Sequence, residues 1–173
     1  QIAEVVGCSM GAVVGGIYCA GYLQEYKHWL MKLSKLDVFM LLDFTLSSQG
    51  FVKGEKVFKA MEEFIGDDKI ENFKIPFTAV ATDLLSKKEM HYNSGSLFAA
   101  LRASIAIPTI LTPVVQGRTQ LVDGGVLNPL PVNLVSKQSD ELIVAVNLNA
   151  NIPYEKNLQA PVENQEKAAY LKM

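Results

Sequence analysis

Ser9 stands in Gly7-Cys8-Ser9-Met10-Gly11, a GxSxG spacing between an apolar run and a stretch of small residues. A serine so flanked is a candidate nucleophile. Where a strand turns sharply into a helix, the serine takes strained backbone angles, and glycines two positions to either side leave room for the turn. Its hydroxyl then stands at a helix N-terminus, where free N–H groups and the helix dipole favour an oxyanion, with the Met10 N–H as a donor. The same residues also suit a serine that merely caps a buried helix. GxSxG alone does not choose between the two.

The choice turns on a base. The chain has two histidines, His28 and His91. His28 lies between Lys27 and Trp29 in a charged helical stretch and His91 beside Tyr92 in a polar strand, so both read as solvated side chains. Neither follows a late acid, as a serine–acid–histidine order would require. A carboxylate must then do the work. Asp123 in "LVDGG" ends an apolar strand, and Gly124 and Gly125 let the chain turn tightly there. Within hydrogen-bond reach of Ser9 it would accept the hydroxyl proton on attack and return it to the leaving alkoxide. An Asx-turn aspartate with no chemistry fits the same residues. Asp83 in "ATDL" reads as a turn residue, and Arg102 as an ion-pair residue or a contact for an anionic head group.

The elements that must position these residues follow from the pattern. With 173 residues, 49% of them apolar, one globular domain fits. A net charge of −2 without a Lys/Arg cluster speaks against nucleic acid as a partner. The uncharged apolar stretch Ile105 to Val115 contains two prolines and is too short to span a bilayer. Cys8 and Cys19 read as buried free thiols, and no ligand spacing suggests a metal or other cofactor. Strands and helices alternate, which predicts an α/β fold. Strands are expected over 2–6, 75–84, 88–93 and 141–149, with a hairpin over 114–122. Helices are expected over 9–23, 24–35, 53–65 and 96–104, another from Val132, and a short one in the polar tail beyond Ala150. Residues 39–50 fit no single period. Gly15 and Gly16 each cost a helix about 1 kcal/mol, which predicts very close packing of the first helix on its sheet.

Four blocks in order, "VVGCSMGAVVGG", "PFTAVATDL", "LRASIAIPTILTPV" and "LVDGGVLNPLPV", resemble the patatin-like phospholipases of bacterial type over about residues 5 to 132. The resemblance implies a three-layer α/β/α fold with a mostly parallel central sheet and a Ser–Asp dyad, Ser9 as nucleophile and Asp123 as base. It implies hydrolysis of acyl esters in phospholipid or another lipid, without a metal. Two departures stand out. Cys8 replaces a small residue of similar size, and the family's first strand and glycine-rich oxyanion loop are expected upstream of residue 1, so that residues 1–173 form one incomplete patatin-like domain.

Phe51, Phe98, Ile105, Ile107, Ile110 and Leu111 are candidates for an acyl-chain channel, with core packing as the alternative. Ser104 and Pro108 are read as shaping the loop that carries them. Three functions compete: a lipid acyl hydrolase working at a membrane surface, a general carboxylesterase, and a non-catalytic lipid-binding protein on the same fold. A soluble or peripheral protein is expected, with the cytoplasm the favoured compartment; oligomeric state is not legible.

Overall fold

A computed structural model describes residues 1–47, 50–136 and 140–150. The run Val5-Val6 opens β1 (Val5–Cys8), which passes through Ser9 directly into α1 (Met10–Ala20). That helix stops at Gly21, φ 90°, where the Gly21 and Tyr22 N–H groups bond the carbonyls of Tyr18 and Ile17. Glycine adopts this left-handed cap without strain. Next come α2 (Leu23–Lys32) and α3 (Lys35–Leu41), the latter opened by a reciprocal Ser34–Asp37 capping box. Then follow β2 (Phe44–Ser47), β3 (Gly50–Val52), α4 (Glu55–Ile65), β4 (Phe77–Asp83), β5 (Lys88–Tyr92), α5 (Leu97–Ser104), β6 (Thr109–Leu111), β7 (Val114–Gln116) and β8 (Thr119–Asp123). Short 3₁₀ turns over Ile70–Asn72, Gly124–Val126 and Val132–Leu134 complete the described elements.

Two sheets form. The larger is organised around β4, whose residues are nearly all buried and which has neighbours on both edges. β5 runs antiparallel along one edge. The opposite edge is shared end to end: β1 pairs in parallel with Phe77 to Val80, and β8 pairs antiparallel with Ala81 to Asp83. β7 adds outside β8. The smaller sheet has the order β2-β3-β6.

Helices α1 and α5 touch each other and cover one face of the larger sheet, with α4 behind them. Ile17, Met61, Ile65, Phe77, Leu97 and Leu101 meet there, each 2% exposed or less. Each such side chain contributes about 1.5–3 kcal/mol by leaving water. A Cβ on Gly16 would stand 2.9 Å from Leu97 Cδ1, and one on Gly15 2.8 Å from Val5 Cγ1, so the two glycines do let α1 settle onto the sheet. Gly7 faces α1, so Cys8 faces away from it, and the turn after β8 lies against Cys8.

Several expectations are corrected. The described part of the sheet is mixed: β1/β4 is the parallel pair, because β4–β5 and β7–β8 are joined by short turns that only antiparallel strands permit. Residues 39–50 contain the end of α3, β2 and the start of β3. The helix expected from Val132 is a single 3₁₀ turn, which ends at Val135 in extended backbone. No strand forms over 141–149, although Leu142, Val144, Val146 and Leu148 alternate; all four are at least 75% exposed. Alternation supplies a face, but a strand also needs an edge to pair with. The helix expected beyond Ala150 lies outside the described residues.

Candidate active site

The shared edge of β4 builds the site. β1 runs toward the middle of β4 and ends with Cys8 opposite Val80; β8 arrives from the other direction and ends with Asp123 opposite Ala81. Two strands therefore point their carboxyl ends at each other across consecutive positions of a third. Ser9, the residue after Cys8, and Asp123 meet there. Ser9 Oγ donates to Asp123 Oδ2 at 2.5 Å, the short distance typical of a hydroxyl on a carboxylate.

Each partner is held from behind. Ser9 has φ 56° and ψ −127°, a backbone conformation that side chains rarely adopt. Its N–H donates to Ser104 Oγ at 3.0 Å, and the Ser104 hydroxyl donates in turn to the Val80 carbonyl at 2.6 Å. Its carbonyl accepts from Ala12 and Val13, starting α1. Asp123 is 6% exposed. Its N–H donates to the Ala106 carbonyl at 3.0 Å, and its Oδ1 accepts from Gly125 N–H at 2.7 Å. The turn after it admits no side chain at Gly124, where a Cβ would stand 2.3 Å from the Val80 carbonyl oxygen. Gly125 has more room, its nearest neighbour being Asp123 Oδ1.

Cys8 Sγ lies 3.9 Å from Asp123 Oδ1. Burial, reinforced by the Asp123 charge, pushes its thiol up to about 12. The thiol is therefore neutral and no rival nucleophile at physiological pH. Cys8 is half-buried, where full burial was expected, because it borders the site; Cys19 is buried. The Met10 N–H, at the free first turn of α1, has no acceptor among the described residues.

The glycines of the GxSxG turn differ. At Gly7 a Cβ would stand 2.6 Å from Ala12 Cα, Ala12 N and the Gly11 carbonyl oxygen. At Gly11 it would meet nothing within 4 Å. Gly11 is an exposed residue of the first turn of α1, so the expectation that both glycines are sterically required holds for Gly7 alone.

Neither histidine bonds Ser9 or Asp123. His28 bonds the Gln24 carbonyl on exposed α2, and His91 faces Glu89 at 3.0 Å on β5. Asp83 is the turn residue it reads as: its carboxylate accepts from Leu85, Ser86 and Gln120 N–H groups, and the Ser86 hydroxyl leads these donors in holding its carboxyl below the usual range. Arg102 Nη2 bonds the carbonyl and hydroxyl of Thr112, at 2.8 and 3.0 Å, tying α5 to the end of β6. Among the channel candidates, Phe98 packs edge-on against Phe58 in the core and Ile105 packs against the same cluster. Phe51, Ile107 and Ile110 instead face outward.

Ser104 is the residue whose part exceeds its sequence reading. It occupies the buried helix face with Leu97 and Leu101, at spacings of four and three. A polar group on such a face needs a partner, and that was the available signal.

Comparison with known proteins gives the family. The patatin-like phospholipase family model matches residues 1–135. An uncharacterized NTE family protein of Mycobacterium tuberculosis is 44% identical over 152 residues, covering 87% of this chain and 42% of that protein. Lysophospholipase NTE1 of Debaryomyces hansenii is 28% identical over 149 residues, 83% of this chain and 10% of its own length. Neuropathy target esterase sws of Drosophila melanogaster is 26% identical over 153 residues, 84% and 11%. The chain thus spans less than half the length of these relatives. With its GxSxG turn and its acid loop both inside the matched region, the chain belongs to the patatin-like phospholipase family.

Proposed function

We propose that this chain carries the Ser9–Asp123 dyad of a lipid acyl hydrolase, of phospholipase A or lysophospholipase type, which cleaves carboxylic esters. The observation that carries the reading is the 2.5 Å approach of Ser9 Oγ to Asp123 Oδ2. Asp123 Oδ2 takes the hydroxyl proton as Oγ attacks the ester carbonyl carbon. The resulting oxyanion turns toward the Met10 N–H and the positive end of α1. Collapse breaks the ester C–O bond, and Asp123 returns its proton to the departing alkoxide, leaving an acyl-serine. Water then attacks the acyl carbon as Asp123 accepts its proton, and collapse breaks the bond to Oγ and releases the carboxylic acid while Asp123 returns the proton to Ser9 Oγ. The names of the fungal lysophospholipase and the fly esterase support an ester of lipid as the substrate.

The reading includes a further strand and a glycine-rich oxyanion loop upstream of residue 1. β1 pairs with β4 alone among the described strands, so its outer edge is open. Ser136 N–H donates to Glu4 Oε2 at 2.7 Å, just before the start of β1, and the alternating segment 142–148 has no ladder. A strand on the open edge of β1 would give that segment an edge to join.

The test uses the full-length protein, a fluorescent organophosphonate and a chain-length series of p-nitrophenyl esters, with and without chelator. Expected are phosphonate labelling lost in Ser9→Ala, a preference for medium or long chains, and indifference to chelator. Asp123→Asn should lower kcat by on the order of 10³-fold. An unlabelled Ser9 would make the protein a lipid-binding member of the fold. A flat or acetate-favouring profile would make it a general carboxylesterase, and activity retained in Asp123→Asn would remove the dyad.

A further inference from the structure

Helix α3 is anomalous for a helix of a packed domain, since none of its residues is buried. Leu36, Val38 and Met40 are 67%, 47% and 64% exposed. The neighbouring small sheet extends the same character. In the parallel β3/β6 pair, Gly50 lies opposite Thr109 and Val52 opposite Leu111, which sets Phe51 and Ile110 at one level of the ladder. These two are 65% and 54% exposed. Scattered apolar side chains on a surface need no explanation, but a helix and an adjoining sheet that both turn them outward mark a contact surface.

Charge says what the surface contacts. Lys56 Nζ donates to the Met40 carbonyl at 3.4 Å, so the start of α4 abuts the end of α3. Beside it a shallow basin is lined by Lys53, Lys56 and Lys59, with Asp43 and Glu55. The Asp43 carboxylate is already committed: it accepts the N–H groups of Gly54, Glu55 and Lys56 and caps α4. The basin therefore holds three lysines against two carboxylates, in a chain whose net charge is −2. A basic basin edged by outward apolar side chains matches a layer of phosphates over acyl chains. The surface is also close to the site, because the Ala106 carbonyl that holds Asp123 N–H lies only three residues before β6.

We infer that α3, with Phe51 and Ile110, is the surface by which the protein docks on an anionic lipid bilayer, with Lys53, Lys56 and Lys59 against lipid phosphates. This rests on the lipid hydrolase reading for its purpose, bringing Ser9 to the interface, and on the surface alone for its existence.

The experiment is co-sedimentation of the full-length protein with phosphatidylcholine vesicles, with and without phosphatidylglycerol. Two variants are compared: K53E/K56E/K59E and L36S/M40S/F51S. Turnover of a water-soluble short-chain ester and the thermal midpoint serve as controls. Wild type should bind the anionic vesicles and be released by high salt. Each lysine removed should weaken binding about fivefold, for roughly a hundredfold or more in the triple variant. The serine variant should weaken binding to both vesicle types, by roughly tenfold per side chain. Soluble-ester turnover and the midpoint should stay near wild type. Unchanged vesicle binding in both variants overturns the docking surface and leaves the hydrolase reading standing. A dimer that L36S/M40S/F51S dissociates without loss of vesicle binding also overturns it, assigning the face to a second copy. Loss of binding in protein whose Ser9 no phosphonate labels upholds docking while the hydrolase reading fails.

Discussion

Replacing the two glycines of the GxSxG turn one at a time separates steric need from pattern. In Gly7→Ala the new methyl carbon is driven to 2.6 Å from three backbone atoms of the first turn of α1, where ordinary contact begins at 3.4 Å. Something must yield by roughly 0.8 Å, and backbone cannot rotate away as a side-chain tip does. Overpacking of this kind costs about 1–3 kcal/mol, which in a domain of this size lowers the midpoint by about 2–12 °C. The displaced turn carries Ser9, and a misplacement near 1 Å costs on the order of 10²-fold in rate. Gly11→Ala meets nothing within 4 Å in an exposed helical turn. There the methyl should stabilise by about 0.5–1 kcal/mol through helix propensity and a less free unfolded chain. Its rate should stay within a few-fold of wild type. Differential scanning calorimetry and p-nitrophenyl ester turnover on the full-length variants make the comparison. If Gly11→Ala is as damaging as Gly7→Ala, or Gly7→Ala changes neither quantity, the clash argument is refuted.

Ser104→Ala leaves the Val80 carbonyl and the Ser9 N–H without their partner, so about 1–3 kcal/mol of stability should be lost. Because the loss loosens the turn rather than the substrate surface, kcat should fall roughly tenfold or more while KM holds, a split that steady-state kinetics reads directly. Burial pushes the Cys8 and Cys19 thiols from 9.0 to about 12 and about 11, so on raising the pH the unfolded chain loses these protons first. Stability from the neutral thiols is full below pH 9 and is lost as pH rises toward 11 and 12, so urea midpoints should fall over that range. The fall should be shallower in Cys8→Ala/Cys19→Ala, and an unchanged slope would contradict the shifts.

Much of this was legible where the physics is local. The strand-to-helix turn at Ser9 and the glycine run that seats α1 follow from what glycine permits, and Asp123 from an apolar strand ended by two glycines. Gly11 misled because a spacing does not say which of its glycines faces an obstacle. The tie from Ser104 to Ser9 and Val80 could not be read, since its partners lie 95 and 24 residues away. Residues 141–149 show the opposite failure: their alternation is strand-like, but pairing belongs to the neighbour as much as to the segment. α3 has a good capping box and an apolar sequence, and nothing local reveals that its apolar side chains face outward.

The head-on meeting of β1 and β8 along one edge of β4 has a consequence for variation. Ser9 and Asp123 are 114 positions apart in the chain, yet their separation is set by a single step between Val80 and Ala81. The stretch between α1 and β4, from α2 through β2 and β3 to α4, pairs with neither β1 nor β8 on that edge, so a change of length in its loops leaves the step in place. The reacting pair is gauged by a ruler one residue long. On the proposed hydrolase reading, the surfaces turned toward lipid are thereby decoupled from the chemistry, free to be recut for a different lipid or a different membrane while the hydroxyl and the carboxylate keep their distance.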